Sequence, residues 1–152
     1  MGAAEHAALA RRWAAELLSA GRLGLIDELV GETLAVGPER TPVADAPRRV
    51  RLYVTAYRQA FPDLTMKVDE LLATEETVTL CWTCHGTHTG HFSHPDIQSF
   101  GIPPTGRAAR WSGVTVFWFR DGRIARLRTA QDVYGLLRQL ELVPALASGA
   151  AS

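Results

Sequence analysis

Apolar residues recur at helical spacing in the first third of the chain and at alternate positions over most of the rest. Leu9, Trp13 and Leu17 stand four apart, which predicts a helix over about residues 4–20, stopped by Gly21. Leu25, Ile26, Leu29 and Val30 predict a short second helix over about 23–30. A Pro- and charge-rich stretch at about 37–47 reads as a loop. Val50, Tyr53, Val54, Tyr57 and Phe61 then line one face of a third helix, with Pro47 suited to its first turn and Pro62 ending it.

The period then drops to two. Strands are predicted at about 65–72, 77–87, 107–120 and 123–130, with Glu75-Glu76 and Asp121-Gly122 as turns. The Asp-Gly pair is a strong hairpin signal. A loop holding His91, His94, Pro95, Pro103 and Pro104 separates the second and third of these strands, and a short helix at about 132–142 follows the last. Helices first and an antiparallel meander after them predict an α+β fold rather than alternating βαβ units. No repeat or linker divides the chain, so one domain over residues 1–145 and an unstructured tail over 146–152 are expected.

On the strand before the hairpin, Trp111, Gly113, Thr115, Phe117 and Phe119 share one face, while Val114, Val116 and Trp118 share the other. Three helices can cover only one of two apolar faces. The second is therefore expected to meet another copy of the chain in a homodimer, the alternative being that Trp118 packs under the N-terminal segment.

Composition adds mainly exclusions. Sixteen basic and sixteen acidic residues cancel, leaving no electrostatic footprint for nucleic acid or an anionic membrane. No stretch approaches the roughly 20 apolar residues of a membrane span, and no apolar run before a cleavage site suggests secretion. Cys81 and Cys84 form a lone C-x-x-C inside a predicted strand, which reads as two structural thiols in a cytoplasmic protein.

Asp132 stands where the last strand gives way to the last helix. Aspartate is a favoured helix N-cap, and that is one reading. The other follows from parity: Ile124, Arg126, Arg128, Ala130 and Asp132 fall on one strand face, which would aim the carboxyl into a cavity. A carboxylate set against apolar walls is a usable acid or base near neutral pH. His85, His88, His91 and His94 are each three apart, but they straddle a strand end and a loop, so they do not make a metal set. His88 or His91 could instead contact a ligand at a pocket mouth. Tyr53, Tyr57, Trp82 and Trp111 could wall a cavity for a flat, ring-rich ligand, giving it phenol and indole donors. No nucleotide-cradling glycine loop or serine-nucleophile elbow is present.

The run AYRQAFPDL, then GTHTG, GIPPTGR, a DGRI hairpin and DVYGLLRQL, resembles the SnoaL-like polyketide cyclase family over about residues 50–142. The resemblance implies a cone-shaped α+β barrel, shared with ketosteroid isomerase, around a deep apolar pocket. It also implies ring closure or isomerisation of a polyketide-like small molecule in antibiotic-type biosynthesis, without cofactor or metal. In the family an aspartate at the start of the last helix moves the proton, and that position matches Asp132. Arg128 and Thr115 would then polarise or orient oxygens. Epoxide hydrolysis, dehydration and non-catalytic ligand binding occur on the same wider fold.

The chain departs from the family in three places. Thr115 stands where the cyclases often carry a histidine or acid, the segment ETLAVGP lacks the family's ionisable group, and HFSHPDIQSF lengthens the loop before GIPPTGR. These point to a remodelled pocket mouth and to a ring closure other than a simple aldol.

Overall fold

The computed structural model describes residues 2–93 and 101–144. His94 and the expected tail lie outside them. Helix α1 (Ala3–Arg12) continues as a wider π-helical segment, Trp13–Ser19. A 3-10 turn at Leu23–Leu25 leads into the four-residue α2 (Ile26–Leu29), and α3 spans Ala46–Ala60. Six strands, β1 (Val30–Val36), β2 (Thr41–Val43), β3 (Thr65–Ala73), β4 (Thr77–Thr87), β5 (Ala108–Arg120) and β6 (Arg123–Gln131), form one sheet. Their order is β2-β1-β6-β5-β4-β3, and α4 (Val133–Gln139) follows β6.

The fold is α+β, as the residue pattern predicts, but the sheet is mixed. Strand β2 lies in the stretch expected as a loop, while β1 starts at the expected helix end, Val30, continues through residues for which no element is expected, and runs parallel to β6. Gly31 and Glu32 interrupt the alternation that Val30, Leu34 and Val36 would otherwise show, which hides the strand.

Helix α1 and its extension press on the inner face of the sheet. Phe117 is fully buried and meets Trp13 edge-on at 5.4 Å, while His6 stacks on Phe119 at 4.3 Å. The Nδ1–H of His6 donates to the Glu75 carbonyl at 2.8 Å, so this buried imidazole is satisfied. In the π-helical segment the Ser19 hydroxyl donates to the Ala14 carbonyl (2.9 Å) and accepts the Met66 N–H (2.8 Å), tying the segment to β3. Arg58 on α3 donates to the carbonyls of Leu18 and Ser19 at 2.9 and 2.7 Å, occupying acceptors that the helix end leaves open.

The hairpin between β5 and β6 turns on Asp121 (φ 52°) and Gly122 (φ 75°), both left-handed, as a two-residue hairpin requires. Just past it the register slips. Phe119 pairs with Ile124 and Trp118 with Arg126, so Ala125 is one residue too many on β6. Ile124 faces the core, but beyond the bulge the inward positions become Leu127, Thr129 and Gln131.

Candidate active site

A cavity of about 390 Å³ opens between α3, the inner face of the sheet and the N-terminal helix. The α3 face presents Arg49, Tyr53 and Tyr57 at successive four-residue steps, which place side chains in a column. Opposite them lie Trp82 and Cys84 from β4, Trp111 and Thr115 from β5, and Leu127, Thr129 and Gln131 from β6. Arg49 is the one charged side chain among the described lining residues.

The polar groups form two hydrogen-bonded sets. Trp82 Nε1–H donates to Thr115 Oγ1 at 2.9 Å, and Thr115 shares a 3.1 Å hydrogen bond with Thr129. Gln131 Nε2–H donates to the phenol oxygens of Tyr53 (3.2 Å) and Tyr57 (3.4 Å). Burial, and secondarily the neighbouring Tyr53, pushes the Tyr57 phenol far above its ordinary value, so it stays a neutral donor. Burial alone pushes the Cys84 thiol up to about 12 and keeps it unreactive. Gly113 makes the Trp82 pose possible, because a Cβ there would run into the indole ring. The site can therefore enclose a flat apolar ring system and offer neutral donors to its oxygens.

Thr115 is the joint of the first set. Thr115→Val keeps the shape but removes the acceptor, leaving a buried indole N–H unpaired. The expected cost is about 1–3 kcal/mol, read as a lower urea midpoint at unchanged m-value.

The structure brings Tyr53, Tyr57, Trp82, Trp111 and Thr115 together and places the other candidates elsewhere. The parity argument for Asp132 and Arg128 fails at the Ala125 bulge, which turns their positions away from the cavity. Arg128 is exposed on the outer face, and no ion pair joins it to Asp132 among the described residues. Asp132 is an exposed N-cap of α4, its Oδ1 accepting Gly135 N–H at 2.8 Å, so its carboxylate stands in solvent rather than against apolar walls. It nevertheless sits at the rim, between the lining residues Gln131 and Val133.

His88 is fully buried beyond the end of the cavity, because β4's alternation of Trp82, Cys84 and Gly86 carries on to it. Its Nδ1 accepts the Thr105 N–H at 3.2 Å, and its ring lies 5.3 Å from Phe61. His91 is exposed and packs its ring on Gly101. Neither lines the cavity. Among the described residues no three His, Cys, Asp or Glu side chains could hold a metal ion.

Burial, then His91, depresses the basicity of His88 below the ordinary 6.5. A base depressed in the folded state stabilises the fold above its unfolded value, and that contribution is lost as pH falls. Stability should decline from about pH 6.5 downward in wild type and less so in His88→Gln, compared by urea midpoints across pH.

The sequence reading missed Arg49, Thr129 and Gln131. Arg49 was findable, one turn before Tyr53 on the same helix face. Thr129 and Gln131 were masked by the bulge.

The family profile of SnoaL-like polyketide cyclases matches residues 8–140. The chain belongs to the SnoaL-like polyketide cyclase family. Membership places it among cyclases and isomerases of polyketide-like small molecules. Among solved structures, AclR, a candidate hydroxylase from Streptomyces galilaeus, is 27% identical. That match covers 97% of this chain and 88% of AclR at a TM-score of 0.75. A candidate polyketide cyclase from Acidithiobacillus ferrooxidans is 25% identical over 90% of this chain and 94% of that one, with a TM-score of 0.70. A SnoaL-like candidate cyclase from Jannaschia sp. CCS1, 18% identical over 93% and 95%, shares the fold at a TM-score of 0.76. No curated protein matches by sequence.

Proposed function

We propose that this SnoaL-like protein is a cofactor-independent cyclase or isomerase that binds a ring-rich polyketide-like substrate, with Asp132 as the proton carrier. The observation that carries the reading is a mostly apolar cavity whose neutral donors converge in two sets, with one carboxylate at its rim. The Tyr53–Tyr57–Gln131 and Trp82–Thr115–Thr129 sets would hold substrate oxygens in preorganised positions. Asp132 would take the proton of a substrate hydroxyl as that oxygen adds to an activated alkene or opens an epoxide, and would return it to the carbanion or alkoxide that forms. This step needs no oxidant. Family membership supports antibiotic-type specialised metabolism as the setting, and the two free thiols, Cys81 and Cys84, suit the cytoplasm. A homodimer is part of the same reading.

The exposure of Asp132 favours one rival: a carboxylate in solvent could activate water for epoxide hydrolysis, or take the proton that leaves together with a hydroxyl in dehydration. Turnover of a candidate substrate in ¹⁸O-enriched water separates the two. Ring closure or isomerisation leaves the product unlabelled and equal in mass to the substrate, whereas label in the product would transfer the case to hydrolysis and loss of one water's mass to dehydration. Tight binding with no turnover would reduce the protein to a ligand-binding module.

A further inference from the structure

Counting donors and acceptors fixes the direction of one hydrogen-bonded set in the cavity. A threonine hydroxyl holds one hydrogen and can accept two hydrogen bonds, whereas an indole N–H can only donate. Trp82 therefore donates to Thr115 Oγ1 at 2.9 Å, and the two side chains are buried at 3% and 4% exposure. Thr115 must then place its own hydrogen. Among the described residues its one further partner is Thr129 Oγ1, at 3.1 Å. Were Thr129 the donor, Thr115 would accept twice and its buried hydrogen would have no acceptor, which costs free energy. With Thr115 as donor, the hydrogen left over belongs to Thr129, which is exposed and lines the cavity, where solvent can satisfy it. The set runs from Trp82 through Thr115 to Thr129, each hydrogen pointing toward the exposed member.

We propose that Thr129 is a catalytic residue of this site: its hydroxyl, at the end of a relay from Trp82 through Thr115, holds the substrate oxygen on which negative charge develops. The inference rests on the cyclase reading above and assigns the group that steadies this charge. As the substrate hydroxyl oxygen bonds to the alkene carbon, the alkene's π pair moves toward its activating carbonyl oxygen. In the epoxide case the breaking C–O pair moves onto the epoxide oxygen. The hydroxyl proton goes to Asp132 and returns to the carbanion or alkoxide. Thr129 loses no proton; it donates a hydrogen bond that strengthens as the oxygen becomes charged.

Two features suit Thr129 to this role. Accepting from Thr115 polarises its O–H and makes it a stronger donor than an isolated hydroxyl. The Ala125 bulge brings it to the inner face, paired with Thr115 across the ladder, and a β-branched side chain on a strand has few rotamers. Thr115 and Trp82 are positioning residues that act on the substrate oxygen through Thr129.

The test uses the full chain with fluorenone carrying a ¹³C carbonyl, a flat ring system with one oxygen, and reads the carbonyl stretch by isotope-difference infrared spectroscopy. In wild type the bound carbonyl should absorb at lower frequency than in Thr129→Val, with probe affinity about 3–10-fold higher. Thr129→Ser should restore the wild-type frequency, and Trp82→Phe should keep only part of the shift. Thr129→Val conserves shape at an exposed position, so the comparison is between folded proteins. A frequency that responds to Thr115→Val and not to Thr129→Val reverses the relay. One that responds only to Tyr57→Phe puts the carbonyl on the other set. Either result overturns the proposal and leaves the cyclase reading standing, because the ring-rich ketone is still bound. A wild-type protein that does not bind fluorenone overturns both.

Discussion

Asp132→Asn should lower turnover by about 10²–10⁴-fold, the contribution usual for a positioned general acid or base, while the protein stays folded. The substitution suits this position because the carboxylate has two separable jobs. As an N-cap it accepts the Gly135 N–H, and asparagine caps a helix about as well as aspartate. As a proton carrier it has no substitute in an amide. An unchanged melting temperature with lost turnover therefore assigns the loss to chemistry. Asp132→Ala removes both jobs, and its extra cost of about 1 kcal/mol should be visible in stability. A folded Asp132→Asn protein with full activity would end the carboxylate's claim; no aspartate or glutamate is among the described lining residues.

The largest effect on stability is expected at Phe117→Ala. Phe117 sits mid-strand on β5, paired with Val78 on one side and Leu127 on the other, and is fully buried. Its ring stands edge-on to Trp13 and 6.2 Å from Phe119, so it joins the N-terminal helix to the sheet. Truncation leaves a void that neighbouring strands, locked in their ladders, cannot close. A loss of about 3–5 kcal/mol follows, a large share of the 5–15 kcal/mol typical of a domain. Denaturant unfolding should show the midpoint falling steeply. Leu72→Ala, at an exposed position, should barely move the monomer's midpoint, and equal losses at the two sites would contradict this picture of the core.

How far the sequence revealed the fold depended on how regular each stretch was. Strand β4 runs over Thr77–Thr87, as its unbroken alternation predicts, and β5 begins within a residue of its expected start. Strand β1 escaped notice because Gly31 and Glu32 break its alternation and Val30 also fits a helical stripe. The aromatic wall of the cavity was legible, since Tyr53 and Tyr57 share a helix face and Trp82, Trp111 and Thr115 fall on inward strand positions. The β6 contribution was not. Parity carries a side chain's direction along a strand only while no residue is inserted, and alanine at 125 leaves no compositional mark of the bulge. Asp132 and Arg128 were aimed inward by counting through it. His88 falls just beyond the strand expected over 77–87, although the alternation of burial continues through it.

That single extra residue also bears on how such proteins diverge. Because Ala125 sets the phase of everything after it, loss of one codon there would exchange the two faces of β6 in one step. Thr129 and Gln131 would leave the cavity, and Arg126, Arg128 and Asp132 would be candidates to enter it. A chamber whose one charged side chain among the described lining residues is Arg49 would gain two further guanidiniums and a carboxylate, without a substitution at any of those positions. Insertions and deletions at this bulge are thus a short evolutionary route between substrate chemistries on a scaffold whose core aromatics need not change.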